Sequence, residues 1–172
     1  TIDISVNCDA WHKGMPGIEG RVRMAVQAAL SKGIATLPSE WPRRSPEVSI
    51  LLSDDSGVRA LNNRYRHIDR ATNVLAFPID SAETPDTDTC VHTLGDIVLA
   101  FETVTAEAAS QGKAFDNHLT HLVVHGLLHL LGHDHELDKD AQVMEALEVA
   151  ILAGLGISDP YESPVKDAGC HD

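Results

Sequence analysis

With 172 residues, 43% of them hydrophobic, the chain is long enough for one domain with a real core. No run approaches the roughly 18 apolar residues that a membrane helix requires, and the opening TIDISVNCDAWHKGMPG lacks the basic-then-apolar pattern of a secretory signal. A net charge of −13 counts, at face value, against a nucleic-acid partner.

Taken in chain order, IDISVN (2–7) alternates apolar and polar residues as a half-buried strand does. IEGRVRMAVQAALSKG (18–33) puts Val22, Val26, Ala29 and Leu30 on one helical face and is expected to stop at Gly33. After the Pro-rich connection LPSEWPRRSP, EVSILLS (47–53) reads as a strand, and DDSGVRALNNRYR (54–66) as a short helix capped by Ser53 or Asp54. ATNVLAFPI (71–79) reads as a strand halted by Pro78, SAETPDTDTCVHT (81–93) as a polar surface loop, and LGDIVLAF (94–101) as another strand. Three helices are expected at 102–112, 115–132 and 138–156, with an irregular tail from about Ser158. The pattern predicts a single α+β domain over 1–172, with helices packed on a mixed four-stranded sheet.

Cys8, Cys90 and Cys170 are odd in number and widely spaced, which reads as reduced thiols in a cytoplasmic protein and makes them poor metal ligands. Histidines carry the stronger signal. The 115–132 helix is apolar at Leu119, Leu122, Val123, Leu127, Leu128, Leu130 and Leu131, yet holds His118, His121, His125 and His129. One such histidine is ordinarily a hydrogen-bonded core residue; several cannot all find cheap partners. His125 and His129, four apart, share a face one turn from each other, so both rings can reach one ion.

Gly132 then permits a left-handed helix end that brings His135 round as third ligand. HGLLHLLGHDH (125–135) has the histidine spacing of metzincin proteases. Three imidazoles leave a tetrahedral ion one open position, which favours catalytic zinc, with nickel, copper and iron as the alternatives. His121, His125 and His129 cannot all bind one ion, since the outer pair lie about 12 Å apart along the axis. His118 and His121 are left to support ligands or bind substrate, and His133 is an alternative to His135.

Metzincins have Glu directly after the first His as general base, and here that position is Gly126. Asp96, Glu102 and Glu136 are the possible substitutes, although nothing in their spacing brings them to the site. Phosphodiester hydrolysis asks less of a base; it needs an activated water and positive charge on the phosphoryl oxygens. That charge is available locally. Residues 1–70 hold ten Lys and Arg against eight Asp and Glu, whereas 71–172 hold three against eighteen. Salt screens remote carboxylates beyond roughly 8–10 Å, so a basic patch can still take phosphate. In VRALNNRYRHIDR (58–70) the candidates are Arg59, Arg64, Arg66 and Arg70, of which Arg59 and Arg70 suit a solvated face. Arg66 and His67, where helix gives way to loop, are better placed for a ligand, and a guanidinium pairs bidentately with phosphate.

HGLLHLLGHDH, LNNRYRHIDRATNVLAFP (61–78) and LGDIVLAFE (94–102) together resemble the bacterial YbeY family of metal-dependent endoribonucleases, from about Glu47 to Tyr161. The resemblance implies a zincin-like α+β fold with one zinc per chain on His125, His129 and His135. It also implies single-strand-specific RNA cleavage that matures the 3′ end of small-subunit ribosomal RNA and serves ribosome quality control. Expected partners are ribosomal RNA and the small subunit or its associated proteins, with no membrane. The arginine that the family uses in catalysis falls on Arg66, with His125 as the second catalytic assignment. Two positions depart from the family pattern, Ala76 for Ser and His133 for Tyr; neither is a ligand. The rival readings are a metzincin-like peptidase with a recruited base and a non-catalytic ribosome-assembly factor braced by zinc.

Overall fold

The computed structural model describes residues 1–39, 41, 44–79, 91–133 and 138–162. Four strands form one sheet: β1 (Ile2–Val6), β2 (Ser45–Ser53), β3 (Val74–Pro78) and β4 (Val91–Ala100), in the order β1-β2-β4-β3. β1 pairs parallel with β2 and β2 with β4, while β3 runs antiparallel to β4 and forms an edge among the described strands. Helices α1 (Ala10–Gly14), α2 (Ile18–Ala35), α3 (Asp55–Arg66), α4 (Phe101–Ser110), α5 (Phe115–Leu130) and α6 (Asp138–Gly154) complete the described elements. The architecture is the expected α+β one with a mixed sheet.

Strand alternation sorts side chains onto two faces. Val48, Ile50, Leu52, Ile97 and Leu99 turn toward α2 and α5, where they share the main core with Leu119, Val123, Leu127 and Leu128. Leu75 and Val98 turn the other way, under Val58 of α3. α5 is the central helix, with ten buried residues, so each wholly buried Leu or Val there contributes roughly 1.5–3 kcal/mol. Its position against β3 and β4 determines where its histidines point.

Several boundaries differ from expectation for local reasons. α2 runs past Gly33 to Ala35. Gly33 is a contact point and not a stop: a Cβ there would strike the Leu131 side chain, so its absence lets α2 approach the end of α5. β4 starts at Val91, inside the stretch expected to be loop; residues 80–90 lie outside those described. A register shift at Glu47/Val48 accommodates its extra residue beside Gly95, which has φ +136° and lies where a Cβ would meet the Phe77 carbonyl. The short α1 went unread because five residues carry little periodicity. It delivers Trp11, fully buried, whose indole donates to the Ser53 carbonyl at 2.8 Å. Residues 157–162, after α6, hold no helix or strand.

Candidate metal centre

His125 and His129 project from the same face of α5 into a cleft of about 560 Å³, also lined by Arg66, Asn73, Ala76 and His133. Their Nε2 atoms stand 3.1 Å apart, with ring planes at 82°. Two imidazole nitrogens each about 2.05 Å from a tetrahedral ion are about 3.3 Å from one another, so this pair has the separation of two ligands on one metal. His135, the expected third ligand, lies outside the described residues, as does Glu136. Among the described residues no group of three or more His, Cys, Asp or Glu is placed to hold a metal. Gly132 does adopt the left-handed conformation expected of a helix end there, with φ +91°.

The orientation of His125 is set from behind. Glu148 on α6, fully buried, takes His125 Nδ1 at 2.6 Å on one oxygen. Its other oxygen takes His121 Nε2 at 3.2 Å and the Tyr161 hydroxyl. Burial alone would raise this carboxyl, but the hydrogen bonds from His121, His125 and Tyr161 outweigh it and hold Glu148 at about 2. An ionised carboxylate only accepts, so His125 must carry its proton on Nδ1. In the neutral ring this leaves Nε2 as the lone-pair nitrogen facing the cleft, the tautomer that a metal ligand needs. Burial and the Glu148 charge together push the Tyr161 hydroxyl up. The two nitrogens described thus suit a metal ion that takes imidazole ligands.

Arg66 reaches the cleft from the opposite wall. It is the last residue of α3, which Asp54 caps by accepting from Gly57 N at 2.7 Å. The helix stops because His67 turns left-handed, φ 59°, and buried Asn62 ties the following loop by donating to the Arg70 carbonyl at 2.9 Å. Arg66 Nη2 then donates to the Ala76 carbonyl at 3.2 Å, and its guanidinium lies 5.8 Å from the Phe77 ring. Arg59 instead pairs with Asp69, as a surface role predicts.

The structure brings His125, His129 and Arg66 to one cleft and leaves Asp96 and Glu102 out of it, Glu136 lying outside the described residues. Asp96 lies on the far face of the sheet, and Glu102 accepts from the Asp55 amide at 2.8 Å. Gly126 explains the missing glutamate physically: a Cβ there would sit 3.1 Å from Ile97 Cγ2 and 3.4 Å from Val74 Cγ2, so α5 rests directly on the sheet. His118 is buried against Glu107, which also takes the Asn73 amide, and His133 Nε2 lies 3.3 Å from Thr36 Oγ1. Sequence reasoning missed Glu148. The signal was its phase, since Met144, Glu148, Ile151 and Leu152 share one buried face of α6.

Two imidazoles, one of them backed by a buried carboxylate, share an open cleft with a guanidinium; such nitrogens suit a cation and such a guanidinium suits an anionic ligand. A profile of the family described as endoribonuclease YbeY matches residues 18–156. The endoribonuclease YbeY of Paramagnetospirillum magneticum is 47% identical over 164 residues, covering 94% of this chain and 96% of that protein. The corresponding protein of a Bradyrhizobium species is 43% identical over 162 residues, covering 94% and 92%. The chain belongs to the endoribonuclease YbeY family. The fold is also similar to the solution structure of TM1509 from Thermotoga maritima, with a TM-score of 0.51 at 20% identity, over 94% of this chain and 99% of that one.

Proposed function

We propose that residues 1–172 act as one hydrolase domain, a zinc-dependent, single-strand-specific endoribonuclease. Its role in this reading is to mature the 3′ end of small-subunit ribosomal RNA and to serve ribosome quality control. It would work in the cytoplasm beside the small subunit or its associated proteins; no helix among the described residues is long and apolar enough to cross a membrane. The observation that carries the proposal is the shared cleft of His125, His129 and Arg66.

His125, His129 and His135 would hold the ion, which when bound supplies a Lewis acid able to acidify water or polarise a phosphoryl oxygen. Glu148 keeps His125 in the required tautomer. Arg66, whose reach is steadied by the Ala76 carbonyl and the Phe77 ring, binds the scissile phosphate and stabilises the charge that develops on it. Cleavage of a phosphodiester suits a cleft in which Gly126 leaves no carboxylate beside the first histidine.

The test pairs metal analysis of the purified protein with cleavage of a precursor ribosomal RNA, with and without chelator, alongside His125→Ala. Zinc at one per chain with chelator-sensitive cleavage, absent from His125→Ala, is the expected result. Equal cleavage by wild type and His125→Ala would replace the enzyme reading with a binding one. A 2′-deoxy substitution at the cut site then identifies the nucleophile, since unimpaired cutting rules out attack by the ribose hydroxyl.

A further inference from the structure

The sheet face turned away from α5 carries a second groove, about 460 Å³, lined by Leu51, Val98, Leu61, Tyr65 and Phe77. Tyr65 is 57% exposed, and its ring centroid lies 5.3 Å from that of Phe77, at a tilt of 59°. Two guanidinium groups flank the pair: Arg64 lies 5.3 Å from the Tyr65 centroid and Arg66 lies 5.8 Å from that of Phe77. Arg66 also lines the metal cleft, so it spans the edge strand β3. Alternation along β3 turns Val74, Ala76 and Pro78 toward the cleft and Leu75 and Phe77 toward α3. The two grooves are therefore neighbours across one strand, joined by one arginine.

We propose that Tyr65 and Phe77 form a stacking subsite for an unpaired base adjoining the phosphate held at Arg66. The inference rests on the endoribonuclease reading and deepens it. Bases stack on aromatic rings and guanidinium planes whatever their sequence, and only an unstacked, unpaired base can swing over a strand edge. The groove's polar rim favours a base over a backbone. Asp96, Asp3 and Ser49 line it; the carboxylates repel phosphate but accept from a base amino group. The subsite would make the enzyme select single strands.

The test uses the full zinc-loaded chain and a single-stranded RNA carrying 2-aminopurine, with Tyr65→Ala and Tyr65→Phe beside wild type. One stacked base corresponds to roughly 5- to 150-fold in affinity. Tyr65→Ala should therefore raise KM about tenfold with kcat little changed and lose the fluorescence quench, while Tyr65→Phe keeps both. Moving one abasic nucleotide along the RNA should find a position that weakens wild type to the same degree and leaves Tyr65→Ala unaffected. That arm tests the subsite in the unaltered chain, so poor folding of the variant cannot mask the answer. If wild type cleaves and Tyr65→Ala matches it in KM, with every abasic position penalised alike in both, the subsite is overturned. The same outcome would follow if this groove docked a protein. A wild type without zinc-dependent cleavage of single-stranded RNA would instead remove the endoribonuclease reading itself.

Discussion

Glu148→Gln separates the two jobs assigned to the buried carboxylate, supporting the fold and orienting His125. The carboxylate accepts from three groups: His125 Nδ1 at 2.6 Å, His121 Nε2 at 3.2 Å and the Tyr161 hydroxyl. A glutamine keeps the shape but has one accepting oxygen and one donating NH2, so at least one of these donors faces another donor. Losing one charge-assisted bond in a fully buried site costs about 2 kcal/mol. For a chain of this length that lowers Tm by about 4–8 °C. Changing the carboxylate behind a histidine that binds metal typically weakens that binding 10- to 100-fold, here through loss of the charge and of a fixed acceptor. Thermal unfolding in excess chelator reads the first effect without the metal, and zinc competition against a calibrated chelator reads the second. A variant that melts lower but keeps wild-type zinc affinity would show that Glu148 supports the fold without orienting the ligand. Unchanged values of both would refute the network altogether.

Arg66→Ala should leave zinc content intact and reduce RNA cleavage about 10²- to 10³-fold, the usual effect of removing a group that stabilises developing charge; undiminished cleavage would deny Arg66 its role. Gly126→Ala gains about 1 kcal/mol of helix propensity and loses roughly 1–3 kcal/mol to overpacking against Ile97 and Val74. Urea denaturation should therefore show it equal to or less stable than wild type by up to about 2 kcal/mol, and a clear gain would contradict the packing. Gly126→Glu, which restores the protease residue, should be less stable still and should not digest casein. His118 titrates below the ordinary imidazole range because burial outweighs the attraction of Glu107. The unfolded chain therefore takes up the proton first, and stability should fall as pH drops below about 6.5. Urea midpoints at pH 7.5 and 5.5 should converge when His118→Gln removes this part of the slope.

The fold was legible where one periodicity ran long enough. α5 announced itself through seven apolar positions at helical spacing, and β1 through plain alternation. α3 carried its own start signal in Asp54. What escaped notice depended on partners remote in sequence. Gly33 looks like a helix stop until Leu131, far along the chain, is known to lie against it. Val91 joins a strand because β2 is there to pair with it. In the site, His125, His129 and Arg66 came from local spacing and from a resemblance. Glu148, which acts on His125 across 23 residues, could be found only by asking why a carboxylate shares a face with Met144 and Ile151.

Strand β3 is short, ends in Pro78, which has no amide hydrogen to offer, and has its Ala76 carbonyl occupied by Arg66. Such an edge is a poor template for a foreign polypeptide seeking to lengthen the sheet. By occupying that carbonyl, the arginine assigned to phosphate would also shield the edge from a second copy of the chain. Without it that carbonyl loses the donor that the described residues give it, and precipitation at high concentration, with the native fold retained, is the failure to expect from Arg66→Ala.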